Sequence, residues 1–529
     1  MLRLQSFRRS VEDPRLAGQI LRRGVGRLVD EHGVDWWDLT SLHIHSEVET
    51  AIALRRLADA ASLAGELYAT RADWPVAGFT ALLGRDVRTF GGSPMGRIRG
   101  RATRFARAFQ RLNRAQLTEI FWDKYDPGYR WRSRLSPAQA RSSRPVILVP
   151  SAYTNVSRTA CKYARFLPER QFLFVATRNS GLQFDPPANG SVAHLAAYAK
   201  AGSYNSATNL LQGWSKLQTS LKEMPELALL QQTGQFAPFE RWLGAGPAVR
   251  DAWLAVLERE PVTAVLCGDD TNWYTRLPVI LANRKNIPTV DFHHGAFDGR
   301  FLLKDLSSDF YLAKNKMEQD YLTRVCDLPP GRIVVGNLAT ETSPSKIRDQ
   351  GNLPNIVFFS EPYESVGGRP EEIYRELLPK LSGLSRQYGR TLIVKLHPFE
   401  SRGERRSLVE TALGTDAAKL VKFVDGPLTE DLLSTTWFGI TVESSTVLDC
   451  SRNGVPCFQC EWLVSTLFSY VEQFDRYGVG QLLRNSSQLA DIPHRLAEWR
   501  VPVQNPEEAS TAAETLRQLF SGRALPVSN

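Results

Sequence analysis

The sequence predicts an α/β protein of two Rossmann-like doubly wound domains facing across a cleft, with a helical N-terminal extension. Three observations carry this. From Pro145 onward, short apolar runs end in turn residues and are separated by helical stretches, the pattern of βαβ units and a parallel sheet. That pattern occurs twice, on either side of a polar linker from Thr340 to Pro354. The first 140 residues lack it and show helical periodicity instead. With 529 residues the chain exceeds one ordinary core. The expected units are residues 1–140, 141–340 (with a helical insert) and 352–529.

Composition narrows the class. The chain is 43% hydrophobic and 23% charged, as soluble globular proteins are. No apolar run approaches the ~18–20 residues that span a bilayer. Met1 to Arg9 has no apolar core of a secretory signal, so a cytoplasmic location is expected. Six cysteines are too few for a disulfide framework, and Cys457-Phe-Gln-Cys460 has no second pair to complete a zinc site. The net charge is +9, and seven arginines fall between Arg97 and Arg114, interleaved with Ile98, Phe105, Phe109 and Leu112. This stretch suits a solvated helix face or a peripheral contact at the inner face of the membrane. No helix-turn-helix, zinc-finger or RNP pattern is present, so no nucleic-acid partner is expected.

The elements follow in order. Leu16–Leu28 and Ser46–Tyr68 have helical periodicity, Trp36–Thr40 reads as a short strand or turn, and Leu42-His-Ile-His45 as extended. Val146–Val149, a helix from Ser157 to Leu167, and Phe172–Ala176 form the first βαβ unit. A helical insert is expected over about Ser191–Leu257. Strands follow at Val262–Cys267, Thr289–Phe292, Phe310–Ala313 and Ile333–Val335, making five or six in the sheet. The second unit has strands at Ile356–Phe359, Thr391–Lys395, Leu420–Val424, Phe438–Val442 and Pro456–Cys460. Its helices fall near 370–388, 404–413, 428–434 and 445–453, with a last helix over Pro506–Phe520.

In open parallel sheets, ligands bind beyond the carboxyl ends of strands. In the first unit those ends carry Asp269 and Asp270, then His293, His294 and Gly295, with Arg276, Asp298 and Arg300 nearby. Adjacent acids can simply cap a helix; converging on one rim with imidazoles, they have a shared reason. In the second unit, Ser360-Glu361 leads to Gly367-Gly368-Arg369, where backbone amides and a guanidinium could meet a phosphate. Lys395 and His397 alternate onto one side of their strand before Pro398. Glu443-Ser444-Ser445-Thr446 opens a helix. Neither a P-loop nor a G-x-G-x-x-G fingerprint is present.

Lys395-Leu-His-Pro398, followed by Glu443-Ser-Ser-Thr446 in a C-terminal Rossmann-like domain, resembles the GT-B glycosyltransferases that use cytidine-activated donors. These are bacterial surface-polysaccharide transferases: sialyl- and polysialyltransferases, capsule Kdo transferases and CDP-glycerol glycerophosphotransferases. The resemblance spans roughly residues 145–460. It implies that His397, Ser444 and Ser445 meet the donor phosphates, and that Asp269 or Asp270 is catalytic. His293-His294-Gly295 resembles the Q/H-H-G turn of such proteins. The expected catalytic set is Asp270, Asp269 and His294. The expected nucleotide-binding set is His397, Lys395, Ser444, Ser445, Glu443, Ser360, Glu361 and Arg369. Arg276, His293, Asp298 and Arg300 are expected on acceptor or sugar. The partners implied are a nucleotide-sugar and a glycan or lipid-linked acceptor, with no cofactor and no metal. Two other readings stay open: a nucleotide-sugar epimerase of the same fold, and a non-catalytic partner in polysaccharide assembly.

Overall fold

The computed structural model describes residues 16–22, 27–61, 68–69, 74–84, 88–89, 144–199, 204–268, 272–293, 307–336, 353–363, 369–464, 470–499 and 512–520. The arginine-rich stretch 97–114, nearly all of the expected linker, and Asp269, Asp270, His294, Asp298 and Arg300 lie outside these residues.

Two parallel sheets organise the chain. The first holds β1 (Val146–Ser151), β2 (Gln171–Ala176), β3 (Gly190–His194), β4 (Val262–Cys267), β5 (Thr289–Phe292), β6 (Phe310–Ala313) and β7 (Ile333–Val335). Their order is β3-β2-β1-β4-β5-β6-β7. The second holds β8 (Asn355–Phe359), β9 (Thr391–Lys395), β10 (Lys422–Val424), β11 (Thr436–Thr441), β12 (Cys457–Cys460) and β13 (Gln481–Leu483), in the order β10-β9-β8-β11-β12-β13. Each sheet therefore grows outward in both directions from its first strand, which is the Rossmann order. The switch points lie between β1 and β4, and between β8 and β11. This is the expected α/β class with two Rossmann-like domains. The strands are legible because their central residues are buried on both faces: all six of β1 and all six of β11 are inaccessible.

Four helices precede the sheets: α1 (Leu16–Arg22), α2 (Trp36–Ser41), α3 (His45–Ala61) and α4 (Trp74–Leu83). After β1 come α5 (Thr154–Arg165), the insert helices α6 (Tyr204–Leu221), α7 (Pro225–Gln232) and α8 (Ala237–Arg259), then α9 (Trp273–Arg284) and α10 (Lys316–Asp320). The N-terminal helices share one core with the insert. Trp37 stacks against Trp214 at 6.2 Å, and Trp36 meets Trp273 at 6.2 Å. Gly246 of α8 lies under Trp36 so closely that a Cβ there would fall 2.1 Å from the ring. A buried ion cluster fixes the contact: Arg250 of α8 donates to Asp30 at 2.7 Å and Asp251 at 2.8 Å, and the Trp36 indole donates to Asp30 at 2.8 Å.

Two expectations for this region give way. Trp36–Thr40 is helical, because burying two indoles against α8 and α9 outweighs the strand preference of aromatic residues. Leu42–Ile44 is a 3-10 turn leading into α3, so His43 and His45 do not alternate along a strand; His43 packs on Trp242 and His45 is buried near Glu49. The first sheet also has seven strands rather than five or six, since the edge strand β3 occupies the head of the expected helical insert.

The second sheet is flanked by α11 (Pro370–Gln387), α12 (Arg402–Leu413), α13 (Thr415–Ala418), α14 (Glu430–Ser434), α15 (Thr446–Arg452), α16 (Val471–Arg476) and α17 (Ile492–Glu498). In α11 the buried Ile373, Tyr374, Leu377, Leu378, Leu381 and Leu384 recur every three or four residues and face the sheet. Pro370 and two glutamates open it. The domains are tied together by Gln473 of α16, which donates to the Met317 carbonyl at 2.8 Å and to Asp320 at 2.7 Å, and accepts from Arg324 at 2.9 Å. A final helix, α18 (Ala512–Phe520), returns to the first domain. There Leu516, Leu519 and Phe520 join the core under β1, and Arg517 meets Glu169 at 2.8 Å.

Arg250→Met leaves Asp30 buried without its cation. The expected loss is about 3–5 kcal/mol of unfolding free energy, read from urea denaturation. A loss below about 1 kcal/mol would show that the cluster does not hold the N-terminal helices in place.

Candidate nucleotide site at the second switch point

Three loops meet at the carboxyl edge of the second sheet: Ser360–Tyr363 after β8, Leu396–Glu400 after β9, and Val442–Ser445 after β11. Their strands are direct neighbours, with β8 in the middle. The loop after β9 is closed by Glu400, whose side chain is fully buried. Its carboxylate accepts from Arg405 Nε at 2.6 Å, from Ser360 Oγ at 2.7 Å and from the His397 amide at 2.8 Å. The Glu400 amide donates back to the His397 carbonyl at 3.0 Å. One buried carboxylate thus locks the His-Pro turn and ties it to the end of β8. Sequence reasoning missed Glu400 and Arg405; the three-residue spacing from His397 to Glu400 was the available signal.

His397 is half-buried, and its Nδ1 accepts from the Phe399 amide at 3.2 Å. Burial lowers the imidazole pKa, with Glu400 opposing and Lys395 adding to the lowering. The ring is therefore neutral, with its proton on Nε2, which is left to donate outward. Lys395 differs from the expectation. Its ammonium is buried and donates to the Leu396 carbonyl at 2.8 Å and the Gly426 carbonyl at 2.6 Å, so it braces the β9 and β10 loops instead of standing free for a phosphate. Burial also lowers its pKa.

Glu361 ties the other side. Its Oε1 accepts from Thr441 Oγ1 at 2.6 Å, from the Val442 amide at 3.1 Å and from the Glu443 amide at 3.0 Å. Burial raises its pKa, Glu443 adds to this, and the three donors oppose; the carboxyl is pushed up to about 7. The serine pair follows. Ser444 Oγ accepts from the Thr446 amide at 3.2 Å, a local turn bond, and Ser445 is the N-cap of α15 without a side-chain cap bond. Arg369 is half-exposed at the head of α11, 3.9 Å from Glu372. The structure thus brings His397, Glu361, Glu443, Ser444 and Ser445 together, while Ser360 differs from the expectation: it is buried beneath the rim, bonded to Glu400 at 2.7 Å and to the Tyr374 hydroxyl at 2.7 Å.

At the first switch point, His293 follows β5 and is partly exposed. Arg276 is not on the rim as a free cation. It is buried in α9 and committed to Ser307 Oγ at 2.7 Å and to Asp38 of α2 at 3.2 Å, because the N-terminal helices cover that face of α9.

A carboxyl whose pKa is raised on folding binds its proton more tightly in the folded chain, so stability falls as pH rises from about 4.5 toward 7. Glu361→Gln keeps an oxygen for the three donors and removes the titration. The stability of the wild type is expected to fall relative to that of Glu361→Gln between pH 5 and 8, by up to about 3 kcal/mol. Parallel stability–pH curves for the two proteins would place the carboxyl near its ordinary value.

No protein-family model and no curated protein matches the chain. Among solved structures it is similar to the UDP-GlcNAc 2-epimerase of Methanocaldococcus jannaschii, at 12% identity and a TM-score of 0.44, over 72% of this chain and 100% of that one. It is similar to the UDP-GlcNAc 2-epimerase of Neisseria meningitidis bound to UDP-GlcNAc, at 13% identity and a TM-score of 0.43, over 72% and 100%. A glycosyltransferase from Rickettsia africae matches at 11% identity and a TM-score of 0.40, over 72% and 95%. At such identities and scores, neither an activity nor a site residue carries over from these proteins to this chain.

Proposed function

We propose that the chain is a GT-B-type glycosyltransferase that moves a sugar from a nucleotide-activated donor, with a cytidine nucleotide favoured, to a surface-polysaccharide or glycolipid acceptor. One observation carries the reading. The loops after β8, β9 and β11 are locked together by Glu400 and Glu361, so a neutral imidazole and two serines are held on one rim at a switch point. Donors fixed before substrate arrives cost no reorganisation when charge develops on a leaving phosphate. In this reading His397 Nε2–H, Ser444 and Ser445 receive the donor phosphates, and Arg369 guards the approach. The first domain takes the acceptor. Asp270, with Asp269 as substitute, serves as base or nucleophile at the sugar carbon, and His294 assists it. Arginine at 97–114 would hold the enzyme at a lipid surface bearing the acceptor.

Thermal-shift binding with CMP, CDP, UDP and GDP tests this. Ligands that bind only the native state raise its melting temperature. CMP or CDP is expected to raise it, and His397→Ala to abolish the rise. Asp270→Ala is expected to keep the nucleotide shift while losing transfer. A shift with UDP or GDP alone removes the cytidine preference. Turnover of a nucleotide-sugar without any acceptor identifies an epimerase. No shift with any nucleotide overturns the reading in favour of a non-catalytic partner.

A further inference from the structure

The first switch point carries a group of side chains outside the sets discussed so far. Tyr153 follows β1, Arg178 follows β2, and Asn272 stands at the head of α9 after β4. These three strands are adjacent, in the order β2-β1-β4. Arg178 Nη1 donates to the Tyr153 hydroxyl at 3.2 Å, and Asn272 Nδ2 donates to the same oxygen at 3.3 Å. The Arg178 guanidinium also lies over the Tyr153 ring, 5.3 Å from its centroid.

The platform is held from below. Asn272 is buried, and its carbonyl oxygen caps α9 through the Tyr274 amide at 3.0 Å, which fixes the amide nitrogen toward Tyr153. The loop carrying Arg178 is bound to the end of β1. The Thr177 amide donates to the Ser151 carbonyl at 2.8 Å, and buried Ser157 donates to the Gly181 carbonyl at 2.8 Å. Gly181 passes so close that a Cβ there would sit 2.8 Å from the Ser151 carbonyl oxygen. Tyr153 is 37% exposed and Arg178 is partly exposed, so the pair is pre-positioned and open to a ligand.

The donor count decides the chemistry. A tyrosine hydroxyl has two acceptor positions and one proton. Arg178 and Asn272 fill both acceptor positions, so only the O–H remains, as a donor. Arg178 pairs with no carboxylate among the described residues and offers its other N–H groups. The platform therefore presents donors only, and its complement is a group rich in acceptors.

We propose that Arg178, Tyr153 and Asn272 form an anion subsite that selects an acceptor sugar bearing a carboxylate or phosphate. The guanidinium takes the anion and the Tyr153 O–H takes a neighbouring sugar oxygen. This deepens the transferase reading and rests on it, because it names the acceptor class.

Saturation-transfer NMR on the full chain at low ionic strength tests the subsite with glucuronate, glucose 6-phosphate and glucose as probes. Wild type is expected to show transfer to the two anionic sugars and none to glucose. The stronger of the two identifies the anion as carboxylate or phosphate. Arg178→Ala is expected to weaken anionic binding about tenfold or more, since a hydrogen bond to a charged group is worth about 1.5–3 kcal/mol. Arg178→Lys restores part of it, and Tyr153→Phe weakens it a few-fold while keeping the ring. Melting curves of each variant check that the fold is unchanged. Equal transfer to all three sugars, no transfer to any, or unchanged binding in Arg178→Ala overturns the proposal. CMP and CDP thermal shifts on the same samples separate the two ideas. Retained nucleotide binding with failed sugar binding removes only the anion subsite, whereas failure of nucleotide binding removes the transferase reading itself.

Discussion

The candidate nucleotide site depends on one buried carboxylate. Glu400 is inaccessible, and leaving it without partners would cost several kcal/mol. Arg405 neutralises it, while Ser360 and the His397 amide fill its remaining acceptor positions. Because those partners come from α12, from the end of β8 and from the His-Pro turn itself, satisfying the charge forces three chain segments into one geometry. The turn could not swing outward without stranding the charge. That is why a short loop at a sheet edge, a place where chains usually have freedom, can hold an imidazole in a fixed direction.

The two sheets share a topology, and it distributes chemistry in the same way twice. In each, the first strand and the fourth diverge at their carboxyl ends and leave an opening that polar residues line. At the second sheet the opening is bridged, because Glu361 reaches from β8 to the backbone beyond β11. At the first it is lined by Tyr153 and Asn272, with Arg178 leaning in from β2. The domains bearing these openings are linked through Gln473, a buried amide whose partners all lie on α10 and the π-helical turn that extends it, Tyr321–Val325. Around this amide a shared apolar core, in which Met317, Tyr321 and Leu322 pack with Phe359, Tyr470 and Phe474, joins the two domains.

Much of the fold was legible because buried parallel strands announce themselves as continuous apolar runs. The failures are physical. Gly190–His194 carries one valine and lies at a sheet edge, so it lacks the apolar run that marked its neighbours. Gln481–Leu483 is three residues long. Trp36 and Trp37 have strand preferences that only tertiary burial overrides. In the site, the residue types were readable and their commitments were not. Lys395 and Arg276 look like free cations in a string of letters, yet each is buried with partners distant in sequence, Gly426 for one and Asp38 for the other. Glu400 looks like a surface acid before a helix, and only its burial reveals what it holds.

These commitments change the electrostatics that the sequence suggested. With the Lys395 ammonium bound to two carbonyls, the described residues of the second rim include no free lysine, and among them are two carboxyls, Glu361 and Glu443. Fully ionised, such a wall would repel a nucleotide diphosphate. The rise of the Glu361 pKa to about 7 relieves this: near neutrality a large share of Glu361 is uncharged, and a neutral carboxyl has an O–H to give. In the proposed transferase the wall would then meet phosphate through dipoles (the imidazole N–H and the serine hydroxyls) more than through net charge. The backbone that carries these groups is held by Glu400 and Glu361, through the His397, Val442 and Glu443 amides. In the proposed transferase such a rim would select a phosphate by geometry first, which is why the locking hydrogen bonds of the two glutamates matter more there than net charge.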